Sequence, residues 1–304
     1  MLFRSHFHQN LCIKNNYKPN YDFFTNIKNN LNLPINSCAM KKLSSCSLVT
    51  PTYNWPEALE LLLLSVKNQT VYPDEVIVAD DGSREDTRQL IEQFQKDFPI
   101  PLVHIWHEDV KNRKPKIMNK AIAKSKYDYI IEIDGDIIMN KNFIKDHLTF
   151  AKKGHYLYGS RVNIKEGILS KVFREKILNF NILSKGIKKR GRTIRIPFLM
   201  NFSKAVEKRS SKLRGCNMSF WKEDFIKING FNESLVGWGI DDSEMIERLH
   251  NLGIKGKRLK FAGIAYHIYH KEQSKSHLEI NNNIEKETVE KKLTHIEKGI
   301  NQYL

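Results

Sequence analysis

Residues 127–138, Tyr-Asp-Tyr-Ile-Ile-Glu-Ile-Asp-Gly-Asp-Ile-Ile, limit the folds open to this chain more than any other stretch. A short β-branched run such as Tyr129–Ile133 reads as a strand covered on both faces. Strands of that kind belong to mostly parallel sheets with helices on either side. Asp134 and Asp136 follow at the strand's carboxyl end, where open α/β sheets bind ligands. No cation lies within three residues on either side, so the two carboxylates repel each other. A divalent ion bound through oxygen, Mn²⁺ or Mg²⁺, would relieve that cost. The same tripeptide would also serve as an ordinary strand-ending turn.

The rest of the chain agrees with a parallel sheet. Strands are expected at 47–51, 75–80, 102–107, 156–162, 216–220 and 261–267. Helices are expected at 56–68, 83–97, 114–125, 222–228 and 241–252. Pro56 suits a first helical turn, and Ser83 suits an N-cap. Alternation of this kind implies right-handed crossovers. Short helices are expected around 169–180 and 200–208. Five parts follow: an N-terminal extension outside the main fold (1–45), a first α/β half (46–160), a basic insert or flap (161–213), a second half (214–273) and a charged helical tail (274–304).

Charge is unevenly placed. The chain carries a net +16, and residues 161–214 hold 16 Lys/Arg against Glu166, Glu175 and Glu207. Such a segment attracts polyanions or an anionic membrane face, or is simply a solvated insert. Cys12, Cys38, Cys46 and Cys216 have no paired spacing, which favours a reducing, cytoplasmic setting over a disulfide framework or a zinc site. The run Ala58–Val66 is too short to span a bilayer, and no signal-peptide pattern opens the sequence.

Three further groups carry chemistry. Asp80-Asp81-Gly82-Ser83 places carboxylates at a strand end beside a helix start, suited to a base or ribose or to a plain junction. Trp238-Gly-Ile-Asp-Asp-Ser-Glu244 places three acids at a helix start. Asp241 and Glu244 have capping-box spacing, which leaves Asp242 at the first helical position, ionised by the helix dipole and suited to a general base. His267 and His270 follow an apolar strand end, from which either could reach a metal on Asp136.

Six motifs occur in one order: Val49-Thr-Pro-Thr-Tyr-Asn54, Val78-Ala-Asp-Asp-Gly-Ser83, Ile133-Asp-Gly-Asp136, Arg214-Gly-Cys-Asn-Met-Ser-Phe220, Gly237-Trp-Gly-Ile-Asp-Asp-Ser-Glu244 and Ala265-Tyr-His-Ile-Tyr-His270. Together they resemble a family 2 glycosyltransferase of the GT-A fold with a galactosyltransferase-type C-terminal half, over roughly residues 46–273. Bacterial chondroitin-polymerase modules and surface-polysaccharide transferases share this pairing. The resemblance implies an α/β GT-A fold: a mostly parallel, Rossmann-like nucleotide-sugar-binding sheet with a smaller acceptor-binding part. It implies inverting, Mn²⁺- or Mg²⁺-dependent transfer of a hexose or N-acetylhexosamine from a UDP-sugar to a glycan or lipid-linked glycan acceptor, at the inner face of the cytoplasmic membrane, with the basic segment 161–214 in contact with that membrane.

By the same resemblance, Pro51, Thr52, Tyr53 and Asp81 would hold the uridine, and Lys116 and Asn119 would contact the donor. Asp134 would meet ribose or metal, Asp136 would bind the metal, and His267 would be its distal ligand, with His270 as the alternative. Asn217 would line the pocket, Trp238 would stack on a sugar, and Asp242 would be the catalytic base beside an acceptor-contacting Asp241. The family's usual acidic pair is Glu-Asp; Asp241-Asp242 departs from it, which bears on the acceptor. Two rivals remain at this point. A basic membrane- or nucleic-acid-binding module on an inactive scaffold is disfavoured because aromatics do not interleave with the cations, so no nucleic acid is expected. A sugar nucleotidyltransferase is disfavoured because residues 49–56 contain no glycine.

Overall fold

The computed structural model describes residues 44–110, 113–237, 239–271 and 277–304; the expected N-terminal extension lies almost wholly outside them. Residues 43–304 form one compact unit. Its main sheet has eight strands in the order β3-β2-β1-β4-β10-β6-β11-β9. These are β1 (Cys46–Thr52), β2 (Glu75–Asp80), β3 (Leu102–Trp106), β4 (Tyr129–Ile133), β6 (His155–Tyr158), β9 (Ala205–Val206), β10 (Asn217–Trp221) and β11 (Lys255–Arg258). β1 pairs in parallel with both β2 and β4, and β2 with β3. β10 runs antiparallel to β4 and to β6, and β11 runs parallel to β6. The carboxyl ends of β1, β2, β4, β6 and β11 therefore share one edge of the sheet.

A second sheet, ordered β5-β12-β7-β8, comprises β5 (Ile137–Met139), β7 (Arg161–Ile164), β8 (Ile187–Lys188) and β12 (Ala265–His267). Helix α1 (Pro56–Lys67) lies between the two sheets, which is why it is apolar almost all round. Leu59, Leu62, Leu63 and Val66 pack on the main sheet, while Ala58 and Leu61 join Ile138, Val162 and Tyr266 of the second. Each fully buried leucine contributes about 2 kcal/mol.

The second sheet explains several departures from the sequence expectations. The expected strand 156–162 is two strands, β6 and β7, in different sheets. β5 and β11 were not expected, being too short or too charged to show alternation. The segment 200–208 is no helix: a 3₁₀ turn at Pro197–Phe202 leads into edge strand β9. The basic segment thus supplies strands to both sheets, with α5 (Leu169–Glu175) following β7 and preceding β8.

Helix α2 (Glu85–Gln95) starts later than expected, and Ser83 does not cap it. The Ser83 hydroxyl accepts from the Asn54 amide (2.9 Å), and the Asn54 side chain accepts from the Arg84 amide (2.9 Å). The loops after β1 and β2 are thereby clasped together. Helices α3 (Lys114–Lys124), α4 (Phe143–Phe150) and α6 (Lys222–Lys227) complete the packing around the sheet.

Helix α7 (Asp241–Asn251) begins without a side-chain cap, so the capping-box reading fails. Glu244 is instead fully buried in a bidentate pair with Arg248 (2.7 and 2.8 Å) and accepts from Thr288 (2.9 Å). Arg248 in turn donates to the Ile228 carbonyl at 2.5 Å. Thr288 belongs to α8 (Leu278–Glu290), so the charged tail braces the helix that presents Asp241 and Asp242. Ile240 enters α7 at φ +78°, a conformation that costs a β-branched residue about 1–3 kcal/mol.

Candidate active site

Four chain segments meet at the carboxyl edge of the main sheet. The turn after β4 presents Asp134 and Asp136, and α3 presents Lys114. The start of α7 presents Asp241 and Asp242, and the end of β12 presents His267 and His270. Gly135 is required by close approach: a Cβ there would overlap the Pro51 carbonyl oxygen of β1. Gly215 is required likewise, because a Cβ would overlap the Asp242 carboxylate.

Lys114 is the hub of the acidic side. Its Nζ lies 3.2 Å from Asp134, 3.5 Å from Asp241 and 3.5 Å from Asp242. Burial works against the ammonium, but Asp134, Asp242, Asp241 and Glu132 outweigh it and hold the lysine well above its ordinary range. Lys114 therefore stays charged. Burial also pushes Asp242 up to about 7; Lys114 opposes this, and Asp241 and Asp134 reinforce it. Behind this group, Glu132 on β4 is fully buried with neither carboxylate oxygen hydrogen-bonded. Burial, followed by Asp242, raises it well above the usual carboxylate range.

Asp136 faces the other way. Its Oδ2 lies 3.1 Å from His270 Nε2 and 3.3 Å from His267 Nε2. One donor atom from each of the three residues fits within 4.8 Å of the others. Asp136 Oδ1 is buried without a partner, a cost that a cation would remove. One carboxylate and two imidazoles with an orphaned oxygen fit a divalent metal ion. Burial lowers the His267 pKa despite Asp136, while the hydrogen bond to Asp136 raises that of His270. His267 is thus the imidazole held neutral, the form that ligates.

Other candidate residues take different places. Asp134 turns to Lys114 and is not part of the Asp136–His267–His270 group. Asp81 is buried; it accepts from His107 (2.7 Å) and from the Arg113 amide (2.9 Å). Thr52 is buried beside it and Pro51 half-buried. Tyr53 is exposed and donates to Asp109 at 2.9 Å. Trp238 lies outside the described residues.

Two residues expected to contact the donor, Asn119 and Asn217, have their side chains engaged within the protein. Asn119 is fully buried, and its amide is consumed by Phe231 N, Phe231 O and Glu233, so it clamps a loop instead of meeting a ligand. Asn217 is also fully buried, bound to His147 (3.1 Å) and to the Gly263 carbonyl (2.9 Å). Lys116 is half-buried on α3, two residues from the lysine that meets the acids. Sequence reasoning missed Lys114 and Glu132. The available signals were a lysine before Pro115 at a helix start and an acid inside an otherwise apolar strand.

The mostly parallel sheet with acidic loops at its carboxyl edge is a GT-A glycosyltransferase fold. It aligns with S. aureus TarS 1–349 in complex with UDP at a TM-score of 0.55 and 16% identity, over 79% of this chain and 64% of that one. It also aligns with the mannosyltransferase PcManGT of Pyrobaculum calidifontis in complex with GDP-Man and Mn²⁺, at a TM-score of 0.52 and 17% identity, over 74% and 57%. The chain belongs to glycosyl transferase family 2, whose model matches residues 47–213. A model described as the N-terminal domain of galactosyltransferase matches residues 197–271. Among relatives, the Escherichia coli chondroitin synthase is 25% identical over 241 residues, covering 74% of this chain. This chain spans about a third (35%) of that protein's length.

Proposed function

We propose that this chain transfers a hexose or N-acetylhexosamine, with inversion, from a UDP-sugar to a hydroxyl of a growing surface glycan. The observation that carries the reading is Asp242: a carboxylate pushed up to about 7, pressed on Gly215, and sharing Lys114 with the Asp134 that precedes the metal-competent Asp136–His267–His270 group by two residues. A base works best when its pKa lies near the operating pH. Asp242 accepts the acceptor hydroxyl's proton as that oxygen bonds to the anomeric carbon, and the bond from that carbon to the diphosphate oxygen breaks on the opposite face. Lys114 remains protonated and keeps Asp242 from rising further. Asp241 flanks the base on the acceptor side.

Asp136, His267 and His270 would hold the divalent ion, and their two imidazoles favour Mn²⁺ over Mg²⁺. When bound, that ion supplies positive charge for the leaving nucleoside diphosphate. Tyr53 and Asp81 sit where β1 and β2 end and are assigned to the nucleotide. In this reading residues 46–160 bind the donor and residues 214–273 carry the acceptor side and the base. Titration of a UDP-sugar panel with and without Mn²⁺, read by thermal shift, tests it. One UDP-sugar should raise the melting temperature only with Mn²⁺, and Asp136→Ala should abolish the rise; silence from every nucleotide sugar would sink the reading.

Residues 161–214 are assigned to an anionic membrane face, at the inner side of the cytoplasmic membrane. Among the described residues no helix is long and apolar enough to cross a membrane. Each cation near such a surface adds about 1 kcal/mol of attraction. Binding to phosphatidylglycerol vesicles should therefore fall steeply with salt; equal binding to neutral vesicles would refute the assignment.

A further inference from the structure

The cations of the basic segment and of the neighbouring stretch 255–260 fall into two kinds. Several have acidic partners: Arg195 with Asp146, Arg209 with Glu247 and Glu285, and Lys255 with Glu207. Others have none. Among the described residues, no carboxylate lies within ion-pair distance of Arg161, Arg192, Arg214, Arg258, Lys189 or Lys260. These unpaired residues do not scatter over the surface.

Arg192, Arg258 and Lys260 line one small cavity of about 120 Å³, together with Ser160, Gly191 and Phe261. Arg258 Nε is buried there with no hydrogen-bond acceptor. Arg192 donates to the Arg161 carbonyl at 2.9 Å, which fixes the two residues side by side. Burial and then Arg258, Arg214 and Arg161 lower the pKa of Arg192; burial and then Arg192, Arg161 and Arg214 lower that of Lys189. The cations therefore oppose one another's charge.

Topology places this cavity at the same edge of the main sheet as the reacting groups. Arg258 ends β11, and Ser160 and Arg161 follow the end of β6. Both strands end at the same edge of the sheet as β4 with Asp134. Arg161 reaches toward Cys216 (3.7 Å), next to the Gly215 against which the Asp242 carboxylate packs, and its charge acts on Asp136. Clustered guanidinium groups without carboxylates, one N–H orphaned, match a multiply charged oxyanion, which they bind through paired charge-assisted hydrogen bonds.

We propose that Arg192, Arg258 and Lys260 form a binding site for a phosphoryl group carried by the acceptor, so that this enzyme glycosylates a phosphate-bearing acceptor. The acceptor assignment rests on the glycosyltransferase reading; the anion site itself does not.

The test is calorimetric titration of inorganic phosphate into the full chain saturated with UDP and Mg²⁺, for wild type, Arg192→Gln/Arg258→Gln and Lys260→Gln. Wild type should bind phosphate saturably despite the bound UDP. The double variant should lose at least about tenfold in affinity, and Lys260→Gln a smaller factor in the same direction. UDP affinity and the melting temperature should be unchanged in both variants. Phosphate binding that UDP abolishes would place the anion in the donor site and overturn the proposal, as would equal binding by the double variant. Glucuronate binding as tight as phosphate would overturn the phosphoryl class. Vesicle binding that falls with the double variant as far as phosphate binding does would replace the acceptor with a lipid headgroup. If no nucleotide sugar binds while phosphate still does, the enzyme reading fails and the anion site stands.

Discussion

Replacing Asp242 by Asn tests the site through two independent readouts. The wild-type carboxyl is raised from an ordinary 3.8 to about 7, with burial as the main cause. A folded-state pKa above the unfolded one means that the folded protein binds more protons between those values. Stability is then complete below about pH 4 and is lost as pH rises through 7. At about 1.36 kcal/mol per pKa unit, the loss amounts to about 4 kcal/mol at pH 8. Asn has nearly the same shape and no charge to bury, so Asp242→Asn should gain on wild type by that amount above pH 7. The advantage should vanish near pH 4, with a slope of about 1.4 kcal/mol per pH unit between. Urea unfolding at pH 4, 5, 6, 7 and 8 measures it. Sugar transfer should meanwhile fall by roughly 10²–10⁴-fold, since a general base is gone. Parallel stability profiles for wild type and variant would refute the buried, proton-holding carboxyl, and near-normal turnover would refute its role as base.

Two more substitutions separate chemistry from scaffolding. Lys114→Met leaves Asp134, Asp241 and Asp242 facing one another, so it should cost about 2–4 kcal/mol in urea unfolding. Because Lys114 holds Asp242 down, the acid limb of the pH–rate profile should move to higher pH; a profile that stays in place would deny the coupling. Asn119→Ala removes three hydrogen bonds to the 231–233 loop and should cost about 2–4 kcal/mol. Donor KM should stay unchanged once the variant is folded, whereas lost donor affinity at an unaltered melting temperature would return Asn119 to the binding site.

Much of this molecule is written locally. The β-branched runs of β1, β2 and β4, the helices between them and the Asp-Gly-Asp turn could be read directly, because period, turn residues and strand-end acids are short-range features. The pairing of Asp136 with the two histidines was also open to sequence, once both were seen to follow an apolar strand end. Packing decided what local pattern does not encode. Glu244 looks like a capping acid three residues into a helix, yet burial against Arg248 and Thr288 makes it a brace. Asn119 meets its partners 112 and 114 residues away, so no local signal separates it from a ligand-binding amide. Lys114 and Lys116 are equivalent in sequence, but α3 turns only the first toward three carboxylates. The pKa of Asp242 likewise exists only in the fold, because it comes from lost water and from charges that three separate segments bring together.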